Sequence, residues 1–192
     1  MNISIRDIIT KSIQTKEKIL GDPTILEQIQ SCVDVIVAAL ESGNKILFCG
    51  NGGSAADAQH LSAELTGRFY KNRKSLPSDA LHCNTSYLTA VANDYGYEHV
   101  YSRLLEGIGK SGDILVCLST SGNSVNLLRC MEKASEMSIK NIAFTGSSGG
   151  LMLDKADICL RVPSNDTPRI QESHIMIGHI ICELVESTLF PE

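Results

Sequence analysis

Apolar residues recur at helical spacing from Ile5 to Leu20 and again from Pro23 to about Gly43, with Asp22 placed as an N-cap and Pro23 at the first helical position. These segments predict an N-terminal helical arm over residues 1–43. From Lys45 the pattern changes to short apolar runs with turn-rich exits: KILFCG (45–50), DALHC (79–83), DILVCLS (113–119), NIAFTG (141–146) and ADICLRV (156–162). Each run is too short for a helix and rich in β-branched or bulky apolar residues, and the intervening segments have room for crossover helices. Five parallel strands are therefore expected within residues 44–192. Arg169–Phe190, just after Pro168, reads as a long final helix, apolar nearly all round and so in need of cover on more than one side. The predicted class is α/β, one domain over residues 1–192.

Composition narrows the function classes. The chain has 192 residues, 43% hydrophobic and 20% charged, which is ordinary for a packed globular domain. Its net charge of -5 gives no basic footprint for nucleic acid, and Lys71, Arg73 and Lys74 form only a short local run. Residues 1–18 alternate apolar and charged positions, which resembles neither a signal peptide nor a membrane span. The 7 cysteines contain no C-x-x-C pair and lie mostly inside apolar runs, so they read as buried thiols in a reducing compartment. A cytoplasmic protein without nucleic-acid or membrane partners is expected. Small anionic ligands stay open, since helix N-termini and backbone amides bind phosphate without excess basic charge.

The candidate chemistry lies beyond the strand ends, where open α/β sheets bind ligands. GNGGSA (50–55) formally matches G-x-G-x-x-A, but LHCNTS offers no acidic residue for a ribose at the end of the second strand. GKS (109–111) fails as a phosphate loop, because Leu104 stands where glycine is needed and a strand follows. STSGNS (119–124) is different. Four hydroxyls, from Ser119, Thr120, Ser121 and Ser124, converge on the helix beginning near Val125, where ordinary N-capping needs only one. A phosphate monoester suits that density. His60 and Glu64 are one helical turn apart on one face of an alanine-rich helix, and can act on one small ligand. The last helix presents Gln171, His174 and His179, and His179 with Glu183 repeats the i,i+4 spacing. On a straight helix Gln171 and His179 lie about 12 Å apart, so either Gln171 sits in an irregular turn or a second subunit contributes. The cover that the apolar final helix needs favours the second, with each catalytic site drawing residues from more than one chain of an oligomer.

Taken together, CGNGGSAADAQHLSAEL, TAVANDYGYE, CLSTSGNS and RIQESHIMIGHIICE resemble the sugar isomerase (SIS) domain family over essentially the whole chain. The resemblance implies a three-layer α/β/α fold, a homotetramer, and conversion of sedoheptulose 7-phosphate to D-glycero-D-manno-heptose 7-phosphate for lipopolysaccharide core or capsule. It assigns Glu64 and His179 as the acid/base pair, and Asn51, Gly52, Gly53, Ser54, Glu64, Asn93, Asp94 and Gln171 to the sugar. Ser119, Thr120, Ser121 and Ser124 become the phosphate cradle. Some members bind zinc, and His60, Glu64, Gln171 and His179 are the matching ligands, one ion per subunit. Non-catalytic members also exist, among them sugar-phosphate-sensing modules and a replication-initiator-associated protein. The presence of both Glu64 and His179 favours the enzyme.

Overall fold

The computed structural model describes residues 4–191. Helix α1 (Ile5–Leu20) starts at a capping box, in which Ser4 Oγ accepts the Asp7 N–H and the Asp7 carboxylate accepts the Ser4 N–H. Helix α2 (Pro23–Glu41) starts where Asp22 accepts the Thr24 N–H at 2.9 Å, with Pro23 in its first turn. The two helices of the expected arm differ in burial. Helix α1 buries just Thr15 and Ile19, whereas α2 buries Ile25, Ile29, Cys32, Val33, Ile36 and Ala39 and lies in the core. By length and composition α2 would also suffice to cross a membrane, and here its apolar face packs on the final helix and the sheet.

Five strands then form one parallel sheet: β1 (Ile46–Gly50), β2 (Ser78–Ala80), β3 (Ile114–Leu118), β4 (Lys140–Thr145) and β5 (Ile158–Arg161), in the order β2-β1-β3-β4-β5. Strand β2 is shorter than the run DALHC and lies earlier, because Leu81, His82 and Cys83 already turn away from the ladder. The connecting helices are α3 (Gly53–Thr66), α4 (Thr85–Tyr95), α5 (Val100–Ile108) and α6 (Val125–Glu136), and α7 (Thr167–Leu189) closes the chain. Central strands β1 and β3 are buried along their whole length, as a sheet covered on both faces requires.

Alternate strand residues face opposite layers. Phe48, Val116 and Phe144 point to α2, α3 and α7, while Leu47, Leu115 and Ala143 point to α4, α5 and α6. Six of the cysteines are buried free thiols, but Cys83 is exposed, because it falls in the turn after β2 and not in an apolar run. Helix α7 begins at Thr167 with Pro168 in its first turn, two residues before the expected start, and is helical throughout. Gln171 therefore sits in regular helix, which removes the irregular-turn explanation.

Candidate active site

The strand order reverses between β1 and β3, so the crevice beyond their carboxyl ends is open to a ligand. On the β1 side the chain leaves Gly50 through Asn51 and enters α3 with Gly52 as N-cap. The Asn51 amide is already engaged. It exchanges hydrogen bonds with Asn126 in α6, Asn51 Nδ2 donating at 2.9 Å and Asn126 Nδ2 donating back at 2.8 Å, while Tyr97 Oη donates to Asn51 Oδ1 at 3.3 Å. This reciprocal pair ties the β1 exit to the β3 exit. Ser54, in the first turn of α3, is buried.

Two turns further along α3, His60 Nε2 lies 3.3 Å from Glu64 Oε1 and 3.1 Å from His179 Nε2. Ligand atoms of His60, Glu64 and His179 all fall within 4.8 Å of one another. Helix α7 can deliver His179 because its neighbour Gly178 has no side chain: a Cβ there would meet Leu61 Cδ1 of α3 at 2.5 Å. The two helices run side by side in close contact. At the other end of that contact Gln171 lies over Gly53, where a Cβ would stand 1.9 Å from Gln171 Nε2. Its carboxamide is thus nearly two turns of α3 from His60, and the histidine and carboxylate group is assembled without it.

Beyond β3, Ser119 Oγ lies 3.2 Å from Ser124 Oγ and 3.5 Å from Ser121 Oγ, and accepts the Gly122 N–H at 3.2 Å. Ser124 is the N-cap of α6, yet its side chain makes no capping bond. A serine that only capped the helix would bond there. Its hydroxyl instead faces Ser119, which leaves the first N–H groups of α6 and a cluster of hydroxyls directed at one place, an arrangement suited to an anion.

A family model for the SIS domain matches residues 9–146. The chain belongs to the SIS domain family. Among similar SIS-domain proteins, the phosphoheptose isomerase of Clostridium acetobutylicum is 52% identical over 184 residues, 96% of this chain and 94% of that relative. The phosphoheptose isomerase of Aneurinibacillus thermoaerophilus is 50% identical over 190 residues, 99% of this chain and 96% of the relative. The structure of phosphoheptose isomerase from Neisseria gonorrhoeae superposes with a TM-score of 0.90 at 39% identity, covering 95% of this chain and 97% of that one.

Within this SIS domain several residues lie apart from the groups that spacing along the chain predicts. Asn93 and Asp94 are exposed near the end of α4 and hydrogen-bond to each other at 2.8 Å, with no contact to the His60 group. His179 pairs with His60, while Glu183 points outward and is exposed. His174 is fully buried, its Nε2–H donating to the Thr145 carbonyl at 3.1 Å, and burial pushes its pKa down to about 4. It is a core residue. Asp57 joins the His60 and Glu64 face, preceding His60 by three residues and Glu64 by seven, a spacing that marks it in the sequence. Its Oδ2 is buried without a partner, and burial raises its pKa against the opposing pull of His60, His179 and Gln171. Asp57 and Gln171 line an open hollow of about 350 Å³ with Pro168, Glu172 and Ile175.

Proposed function

We propose that this SIS-domain protein is an aldose-ketose isomerase that converts sedoheptulose 7-phosphate to D-glycero-D-manno-heptose 7-phosphate, for heptose incorporated into lipopolysaccharide core or capsule. The observation that carries the reading is the meeting of Glu64 with His60 and His179, a carboxylate and two imidazoles within 4.8 Å, where α3 and α7 pack side by side. Near full-length similarity to phosphoheptose isomerases supports the same substrate.

Moving the carbonyl from C2 to C1 requires taking a proton from C1, stabilising an enediolate and returning a proton to C2. Glu64 is the base at C1. His179 is the acid that serves the oxygen side of the same step. The cluster of Ser119, Thr120, Ser121 and Ser124 is the proposed seat of the 7-phosphate, and holding that remote group fixes the reacting carbons against Glu64. Asn51, Gly52, Gly53, Ser54, Asn93, Asp94 and Gln171 are the remaining proposed sugar contacts.

The donor set also suits zinc, one ion per subunit. Two Nε2 atoms face each other at 3.1 Å with a carboxylate oxygen 3.3 Å from one of them, a nitrogen and oxygen set with room for a further ligand. Gln171, the remaining proposed ligand, rests on Gly53 nearly two turns of α3 away, so that carboxamide would have to come from a neighbouring subunit. Zinc, when bound, would supply Lewis-acid polarisation of the sugar carbonyl in place of the His179 proton, with Glu64 and His179 then serving partly as its ligands.

A homotetramer is part of the proposal. It is supported by the exposed stripe Ile5, Ile9 and Ile13 of α1, with Ile8 beside it, and by Ile180 and Leu184 of α7, which a second copy would cover. A cytoplasmic setting is supported by the seven free cysteines. A coupled assay with sedoheptulose 7-phosphate tests the whole reading. Steady formation of the aldose is expected; tight binding of the sugar phosphate without turnover would instead make the protein a non-catalytic sensor.

A further inference from the structure

Glu186 lies seven residues beyond His179 on α7, two turns along the same face, and is 1% exposed. Its carboxylate accepts three consecutive backbone N–H groups, from Phe69 at 2.9 Å, Tyr70 at 2.7 Å and Lys71 at 2.8 Å, and the Arg73 Nε–H at 2.9 Å. Burial alone would raise its pKa, but the donors from Lys71, Phe69, Tyr70 and Arg73 outweigh burial and hold it at about 2. Arg73, also 2% exposed at its side chain, extends the network. Its Nη2 donates to the Glu64 carbonyl at 2.9 Å and its Nη1 to the Leu65 carbonyl at 2.7 Å. Those carbonyls belong to the last turn of α3, where no helical N–H is left to bond them.

Two lines of contact leave this knot, and each reaches one member of the acid/base pair. One runs through Arg73 to the backbone of Glu64 itself. The other runs through the backbone of Phe69, whose ring lies 5.8 Å from the His179 ring at a tilt of 53°. A buried ion pair is weak evidence for stability, because apolar residues of similar size often serve as well. What apolar residues cannot supply is directional bonding to three successive amides and two helix-end carbonyls.

We propose that Glu186 and Arg73 are positioning residues for the isomerisation: they lock residues 67–73 so that Phe69 and the end of α3 hold His179 and the Glu64 carboxylate in register. This rests on the acid/base reading of Glu64 and His179. The phosphate cradle at α6 makes no bond to this knot, so a loosened knot lowers turnover and leaves substrate affinity in place.

The test compares Glu186→Gln, Arg73→Lys and Phe69→Leu with the parent by steady-state kinetics on sedoheptulose 7-phosphate, with circular dichroism to verify folding. The expected result is a fall in kcat of about tenfold or more with KM within about twofold, and near-parental kcat in Phe69→Tyr, which keeps the ring. Folded Arg73→Lys and Phe69→Leu proteins with parental kcat overturn the proposal, whether or not Glu186→Gln folds. A second readout does not depend on turnover: the ring nitrogen resonances of His179, assigned with His179→Gln, shift in Arg73→Lys if the knot sets the ring. An inactive parent with a shifted His179 signal disproves the isomerase reading alone, and an unshifted signal disproves the positioning.

Discussion

The Nε2 atoms of His60 and His179 stand 3.1 Å apart although the residues are 119 positions apart in the chain. Two neutral imidazoles meeting at these atoms can share only one proton between them, whereas both lone pairs can serve a cation, with Glu64 as third donor. Zinc should therefore copurify with the protein, and His60→Ala should lose most of it in elemental analysis. Chelation should lower activity. Full turnover by verified metal-free protein would remove zinc from the mechanism.

Replacing Glu64 by glutamine keeps shape and removes basicity. Isomerisation should drop by about 10²–10⁴-fold while the unfolding temperature changes little. One chain brings Glu64 and His179 together, against the expectation that a site draws them from two chains, so mixed oligomers of Glu64→Ala and His179→Ala should stay as inactive as their parents. Recovery of activity in verified hybrids would mean that the working pair is formed between subunits.

At the phosphate end, Ser119→Ala combined with Ser124→Ala should weaken binding of the phosphorylated sugar and of inorganic phosphate alike, by a loss of about 1–3 kcal/mol for charge-assisted hydrogen bonds. Calorimetric titration with both ligands measures this. Unchanged affinity for both places the phosphate elsewhere.

Gly53→Ala puts a Cβ 1.9 Å from Gln171 Nε2, the tip of a flexible side chain, so the clash is relieved by moving Gln171 and not the backbone. The variant should fold with nearly parental thermal stability but lose activity, and a structure of it should show the displaced carboxamide. Parental kinetics would show that Gln171 has no part in the site.

The buried His174 makes stability depend on pH. Its folded pKa, about 4, is below its ordinary value of 6.5, so the unfolded chain takes up a proton that the folded protein refuses. Stability is full above pH 6.5, declines as pH falls from 6.5 towards 4, and loses about 3 kcal/mol from this group before levelling. Urea unfolding across that window should be flatter for His174→Gln than for the parent.

The sequence by itself determined the elements and their order. Asp22 before Pro23, the short β-rich runs, and the hydroxyls of residues 119–124 are local signals, written in side-chain period and in the groups a helix end must satisfy. The shared face of His60 and Glu64 was legible for the same reason, and Asp57 stood on it in plain view. Tertiary structure alone decided that α2 belongs to the core, that His174 faces inward while His179 faces His60, and that Gln171 rests on Gly53. It alone joined Glu186 to the loop after α3. These contacts are set by which face α7 turns towards α3, and an all-round apolar helix carries no period that names its face; the missing side chain at Gly178, opposite Leu61, settles it by letting the two backbones approach.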